Sequence, residues 1–269
     1  MLTALTFMSV VGSVGCAGVP KHLDDAGRAE RARDSAVSLV KWGIRGEDGL
    51  VEVPRGTRGA KLVAHCSGVW VSQDTFLTAG HCVEDTGEPA SDPLARILER
   101  LSGFKVHWDP SGQTVHFAMH GDIQVGRVHD NETVRTGRII GYERTADLAL
   151  VQHLPENADL ALPDHTIVRI ASEVRVGEEV DVVGNPLGLE WSYTRGWVSA
   201  LRPRSLGPRD GRVNAVQISA PVWFGSSGGP ALNHEGELVG IASWVQDGPS
   251  LGFFVDPSTI RGFLARATH

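Results

Sequence analysis

Ser227 stands in Phe224-Gly225-Ser226-Ser227-Gly228-Gly229-Pro230, a hydroxyl set among glycines. It is a candidate nucleophile. Gly225 lets the backbone turn tightly enough for the amides of Gly225 and Ser227 to point into one small hole, where the charge that develops on a carbonyl oxygen in acyl transfer would be met. A serine hydroxyl is a weak nucleophile at neutral pH and needs a base. His81, in Leu77-Thr78-Ala79-Gly80-His81-Cys82, ends an apolar strand and is the candidate base. Asp147, in Thr145-Ala146-Asp147-Leu148-Ala149-Leu150-Val151, opens an apolar strand. Its neighbours are of buried types, so its carboxylate is expected to be sheltered. Taken one at a time, the three stretches also read as a Gly-Ser loop, a solvated histidine and a turn aspartate.

The elements around them read as strands. Ala36-Val37-Ser38-Leu39-Val40, Leu62-Val63-Ala64, Gly68-Val69-Trp70-Val71, Val213 to Ile218, Leu238 to Trp244 and Gly252-Phe253-Phe254-Val255 are short apolar or alternating runs. Gly and Pro, with 32 and 14 copies, punctuate them throughout, which describes an all-β chain of many short strands. Between Cys82 and Asp147 lies an insertion. Leu94, Ile97, Leu98 and Leu101 fall at helical spacing. Phe104 to Trp108 and Gln113 to Phe117 flank Asp109-Pro110-Ser111-Gly112 as a hairpin would. Asp256-Pro257-Ser258 is positioned to cap a final helix over Thr259 to Ala265. The loop from Arg202 to Arg212 is basic and broken by Pro and Gly, and reads as solvated, with contact to acidic substrate residues as the alternative.

The order His81, Asp147, Ser227, with the residues that flank each, resembles the trypsin-like serine peptidases. Val183-Gly184-Asn185-Pro186-Leu187-Gly188-Leu189 and Thr194-Arg195-Gly196-Trp197-Val198-Ser199-Ala200 are similar to the bacterial branch that contains the Deg/HtrA proteases. The resemblance runs from Ser35 to Phe263 and is weak before Cys66. It implies two six-stranded antiparallel Greek-key barrels, residues 35–160 and 161–269, with a short C-terminal helix. It implies peptide-bond hydrolysis through an acyl-enzyme, with protein or peptide substrates and neither a metal nor an organic cofactor. It implies a Cys66–Cys82 disulfide fixing the histidine loop, with two free thiols as the alternative. The short stretch after Ser227 leaves no room for the PDZ domain that Deg/HtrA proteases carry, so a monomer is expected. The position before the nucleophile is Ser226 rather than the aspartate that pairs with a newly cut N-terminus in digestive members. Chains begun at Gly18 or Ser35 are therefore expected to be comparably active. In the family's substrate pocket, Pro221 would form the floor, Phe224, Ser243, Trp244 and Val245 the near walls, and Gly252 the opposite wall. None of these residues is charged, and Val245 narrows the slot, so cleavage after small or medium aliphatic residues is expected. The competing reading is an inert binding lipoprotein on the same fold. An α/β-hydrolase esterase fits less well, because the helices that should alternate with the strands are missing.

The rest of the chain bounds its surroundings. It has 269 residues, 41% of them apolar, and a net charge of −7, which argues against nucleic acid as the main partner. It holds no run of about 18 apolar residues of the kind that crosses a membrane. Met1 to Gly15 is apolar and ends in small residues, as an export signal does. Ser13-Val14-Gly15-Cys16 is similar to a lipoprotein cleavage box, so Cys16 is the candidate lipid anchor and the only expected tie to a membrane, in a periplasmic or cell-surface location. A plain secretion signal is the alternative. Residues 17–34 are polar and read as a tether or an exposed helix, outside the core in either case. His107, His116, His120 and His129 match no compact ligand spacing, and no metal site is expected among them.

Overall fold

Apolar runs of this kind cannot stand alone in water, and here they close into two barrels. The computed structural model describes residues 23–46, 49–52, 57–84, 112–124, 133–155, 162–206, 212–246 and 251–267. The first barrel has the strand order β1 (Ala36–Gly46), β3 (Lys61–Trp70), β4 (Thr75–Ala79), β7 (Leu148–Leu154), β6 (Arg135–Glu143) and β5 (Thr114–Met119), and closes where β5 pairs with β1. A short strand, β2 (Gly49–Glu52), adds to the far end of β1. The second barrel closes in the order β10 (Arg212–Ile218), β13 (Leu251–Val255), β12 (Leu238–Gln246), β11 (Pro230–Leu232), β8 (Glu179–Gly184) and β9 (Ser192–Leu206). Each of these strand pairs is antiparallel.

Successive side chains of a strand face opposite ways. Trp70, Phe76, Phe117, Ala149 and Val151 fill the first barrel, where Trp70, Phe76 and Phe117 meet edge to face with ring centroids 5.1–5.8 Å apart. Val180, Val182, Val216, Ile218, Val239 and Phe254 fill the second. The alternate positions, Val69, Leu77, Leu148 and Leu150 from the first barrel and Val183, Leu238 and Ile241 from the second, form a third core where the barrels meet. Strand β7 is thus buried on both faces, which is why Leu148 to Val151 is apolar without a break.

Four helices are described: α1 (Asp25–Ser35), α2 (His81–Glu84), α3 (His120–Gln124) and α4 (Pro257–Ala267). The Asp24 carboxylate caps α1, accepting from the Gly27 amide at 2.8 Å. Residues 25–34 are not outside the core, as their polarity suggested. Ala32 joins the core between the barrels, and Arg28 is buried on the second barrel. Its Nε donates to Asp181 Oδ2 and its Nη1 to Glu179 Oε1, both at 2.8 Å. Helix α4 starts two residues before the expected Thr259, capped by Asp256, and returns to the first barrel. There Phe263 enters the shared core and Arg266 Nη2 donates to Glu143 Oε2 at 2.5 Å.

The expected helix at 94–101 and the strand at 104–108 lie outside the described residues, as do the export signal, Cys16 and the greater part of the loop between Arg202 and Arg212. Thr114–Met119, read as half of an inserted hairpin, is instead a barrel strand paired with β1 and β6. Its alternation of buried and open positions is the same in either setting, and only the distant partner strands decide between them.

Cys66 and Cys82 are joined by a disulfide that closes a loop of 16 residues and ties β3 to α2. Constraint of the unfolded chain by a loop of that length stabilises by about 3 kcal/mol. Urea unfolding with and without reductant is expected to show a loss of that order; an unchanged midpoint would exclude it.

Candidate functional site

His81 opens α2 directly after β4, and Asp147 precedes β7, the strand paired with β4. Gly80 makes their approach possible, since a Cβ there would sit 3.1 Å from the Asp147 carbonyl carbon and from the Leu148 nitrogen. Asp147 Oδ1 accepts the His81 backbone amide at 2.9 Å, and its two oxygens lie 3.0 and 2.9 Å from His81 Nδ1. Oδ2 also accepts from the Ser243 hydroxyl. The carboxylate is 1% exposed. A carboxylate can only accept, so Nδ1 carries a proton, and in the neutral tautomer that fits this bond Nε2 is the acceptor. Ser243, expected on the pocket wall, therefore also holds the aspartate that orients His81.

The turn before Ser227 is built on Gly225, whose φ of +99° lies in the left-handed region. A Cβ there would fall 2.2 Å from the Asn185 carbonyl oxygen. The amides of Ser226, Gly228 and Gly229 bond to Trp223 O, Ala242 O and Ser226 O at 2.9, 2.7 and 2.9 Å. Those of Gly225 and Ser227 donate to no backbone oxygen among the described residues. They are the two amides that the sequence assigned to binding an oxyanion. The Ser67 amide donates to Ser227 O at 2.7 Å, tying this loop of the second barrel to β3 of the first.

Ser227 and His81 share one cavity of about 380 Å³. Val222, Trp223, Phe224, Ser226, Ala242, Ser243, Trp244, Val245 and Phe253 complete its lining. Trp244 and Phe253 stack with ring centroids 5.1 Å apart and planes 3° off parallel. Among the described residues of the wall, His81 is the only titratable one. Phe224, Ser243, Trp244 and Val245 are where the sequence put them, whereas Pro221 and Gly252 do not line the cavity. Pro221 is exposed, with its carbonyl accepting from Thr194 Oγ1 at 3.2 Å. Gly252 packs behind Val222, whose Cγ2 would lie 2.6 Å from a Cβ at 252. Val222 and Phe253 line the wall in their place. A second cavity, lined by Val174, Leu201, Asn214 and Arg261 among others, lies on the outside of the second barrel and includes none of the candidate residues.

Of the four histidines weighed as ligands, His107 and His129 lie outside the described residues. His116 meets the Trp42 ring edge to face, and His120 Nδ1 lies 3.1 Å from Asp34 Oδ1.

Residues 66–241 match the family model for the trypsin-like peptidase domain. The chain is 34% identical over 177 residues to the putative serine protease HhoB of Synechocystis, covering 64% of this chain and 41% of that one. It is 34% identical over 218 residues to human serine protease HTRA4, covering 69% and 45%. It is 36% identical over 175 residues to a probable periplasmic serine endoprotease, DegP-like, of Brucella suis, covering 61% and 32%. The chain thus spans less than half the length of these relatives.

Proposed function

The chain belongs to the trypsin-like peptidase family, and from that premise we propose that it is a serine endopeptidase working through an acyl-enzyme. One observation carries the reading: His81, its Nδ1 held by Asp147, lines a single cavity with Ser227, whose amide, like that of Gly225 two residues before it, donates to no backbone oxygen among the described residues. His81 takes the proton of Ser227 as its oxygen attacks the scissile carbonyl. The amides of Gly225 and Ser227 receive the oxyanion. His81 then passes the proton to the leaving amine, and water repeats the sequence on the ester. Asp147 keeps the imidazole in the required tautomer and offsets its charge while it is protonated. Removal of one oxyanion donor in such a site costs about 3–4 kcal/mol of transition-state stabilisation.

A fluorophosphonate probe tests the assignment. The protein is expected to take up one label, and Ser227→Ala none. An unlabelled parent would favour the inert binding protein, and label that survives the substitution would refute Ser227 as the nucleophile.

The cavity also supports a substrate preference. Val222, Val245, Trp244 and Phe253 offer apolar walls, with no carboxylate among the described residues of the lining to pair a basic side chain. A peptide-library profile is expected to favour Val, Ala, Ile or Leu before the scissile bond, with little cleavage after Lys, Arg, Asp or Glu. A methylene in such a pocket is worth only about 1–3 kcal/mol, so the preference is graded. A profile dominated by Arg or Lys would refute it.

Relatives named as periplasmic support export, and the apolar start of the chain supplies a signal for it. Cys16 is then the site of a lipid anchor. Among the described residues no helix is long and apolar enough to cross a membrane.

A further inference from the structure

An oxyanion hole works only if its donors are aimed before the charge appears. Gly225, lacking a Cβ and with a φ of +99°, is the least constrained residue of this one. Its two flanking peptides are each held by a single bond on the carbonyl side. Phe224 O accepts from the Leu187 amide at 2.8 Å. In a trans peptide the N–H points opposite to the C=O, so this bond turns the Gly225 N–H away from the Pro186–Gly188 turn. Gly225 O accepts from the Ser67 hydroxyl at 2.9 Å, and the Ser226 N–H on the far side of that peptide reaches Trp223 O.

The Ser67 hydroxyl has one hydrogen, and the surroundings fix where it goes. Asn185 Nδ2 lies 3.0 Å from Ser67 Oγ and 2.8 Å from Cys66 O, spending both amide hydrogens there. Asn185 Oδ1 accepts from the Trp191 amide at 3.1 Å, which fixes the orientation of the side-chain amide. Ser67 Oγ, already accepting from Asn185, gives its hydrogen to Gly225 O. Ser67 and Asn185 are 1% exposed, so no water competes for these bonds.

We infer that Ser67 and Asn185 are positioning residues for the oxyanion hole: a directed relay, Asn185 to Ser67 to the Gly225 carbonyl, that locks Gly225 with its amide aimed at the reacting carbonyl. The inference rests on the serine-peptidase reading. Ser67→Ala leaves the Gly225–Ser226 peptide held through its N–H alone, by Trp223 O. Asn185→Asp is nearly isosteric but has no hydrogens to give, so the Ser67 hydroxyl turns to the new carboxylate and releases Gly225. The two substitutions break the same relay at different links.

The test measures kcat and KM on a peptide anilide, and affinity for a peptide boronate that forms a tetrahedral serine adduct, all normalised to sites titrated with a fluorophosphonate. Ser67→Ala is expected to lower kcat about thirtyfold, less than the ~10²–10³ for outright removal of a donor. Boronate affinity should fall by the same factor, KM should change less than about threefold, and the pH profile should keep its shape. Asn185→Asp should match it, and the double variant should lose no more than either single one. A merely structural role would reduce the number of titratable sites and leave the rate per site unchanged. Parental kcat and boronate affinity per site in Ser67→Ala, or in Asn185→Asp should the alanine variant not fold, would overturn the relay alone. A parent that takes no label would overturn the peptidase reading along with it.

Discussion

Asp147→Asn is expected to lower kcat by about 10⁴ at neutral pH with little change in KM. The surroundings of the carboxylate dictate why. Oδ1 must accept from the His81 backbone amide, so the asparagine oxygen takes that place and its NH₂ faces His81 Nδ1 and the Ser243 hydroxyl. An NH₂ beside Nδ1 is satisfied only if Nδ1 accepts, which moves the imidazole proton to Nε2, the atom that must be bare to take the proton of Ser227. Ser243→Ala, which leaves the carboxylate in place, is expected to cost far less. Single-turnover acylation with an activated ester separates this loss from binding. An Asp147→Asn enzyme within tenfold of the parent would remove Asp147 from the mechanism.

Arg28→Ala is expected to cost on the order of 3 kcal/mol in folding stability, the lower part of the range for breaking a buried ion pair. Asp181 is 2% exposed and receives Arg28 on Oδ2. Its other oxygen accepts from Tyr193 Oη at 2.5 Å and Arg195 Nε at 2.9 Å, so the carboxylate is not left wholly uncompensated. Burial, then the bond to Asp181, hold the Tyr193 phenol above its usual range, so this partner stays protonated through neutral pH. Arg195 Nη1 in turn binds Asp25 at 2.8 Å, a second tie from the strand to α1. A chain begun at Ser35 loses Arg28, Asp25 and Ala32 together and is expected to be less stable still, contrary to what the polarity of this segment suggested. Thermal unfolding of Arg28→Ala and of the shortened chain measures both, and melting temperatures equal to the parent's would refute the clamp.

The contrast shows what local sequence can and cannot reveal. His81, Asp147 and Ser227 stand out as candidates in the sequence because each sits at a strand end or in a glycine turn whose residue types have a local cause. The barrel strands were legible through their alternation. The burial of helix α1 was not, because the side chains it buries are arginine, alanine and serine, which carry no apolar period. Arg28 is buried only because Asp181, 153 positions away, is there to meet it. Ser67 and Asn185, separated by 118 positions, escaped notice for the same reason. Counting back from Ser227 reaches Pro221, whereas the residue that lines the cavity is its neighbour Val222, a difference that depends on which of the two turns inward. In Ser243 the sequence suggested a wall residue and gave no sign of its bond to Asp147, which comes from the other barrel.

The division of the site between the barrels also bears on how the chain is made. Synthesis runs from the N-terminus, and folding units tend to form in that order. The first barrel carries His81 and Asp147, while Ser227 belongs to the second and meets them only across the shared core. Helix α1, made before β8, finds Asp181 only when that strand has been built, and α4, made after the strands of both barrels, comes back to the first. On the peptidase reading, a half-made or half-folded chain has a base without a nucleophile. It is unable to cut itself or its neighbours, and hydrolytic competence waits on the docking of the two barrels.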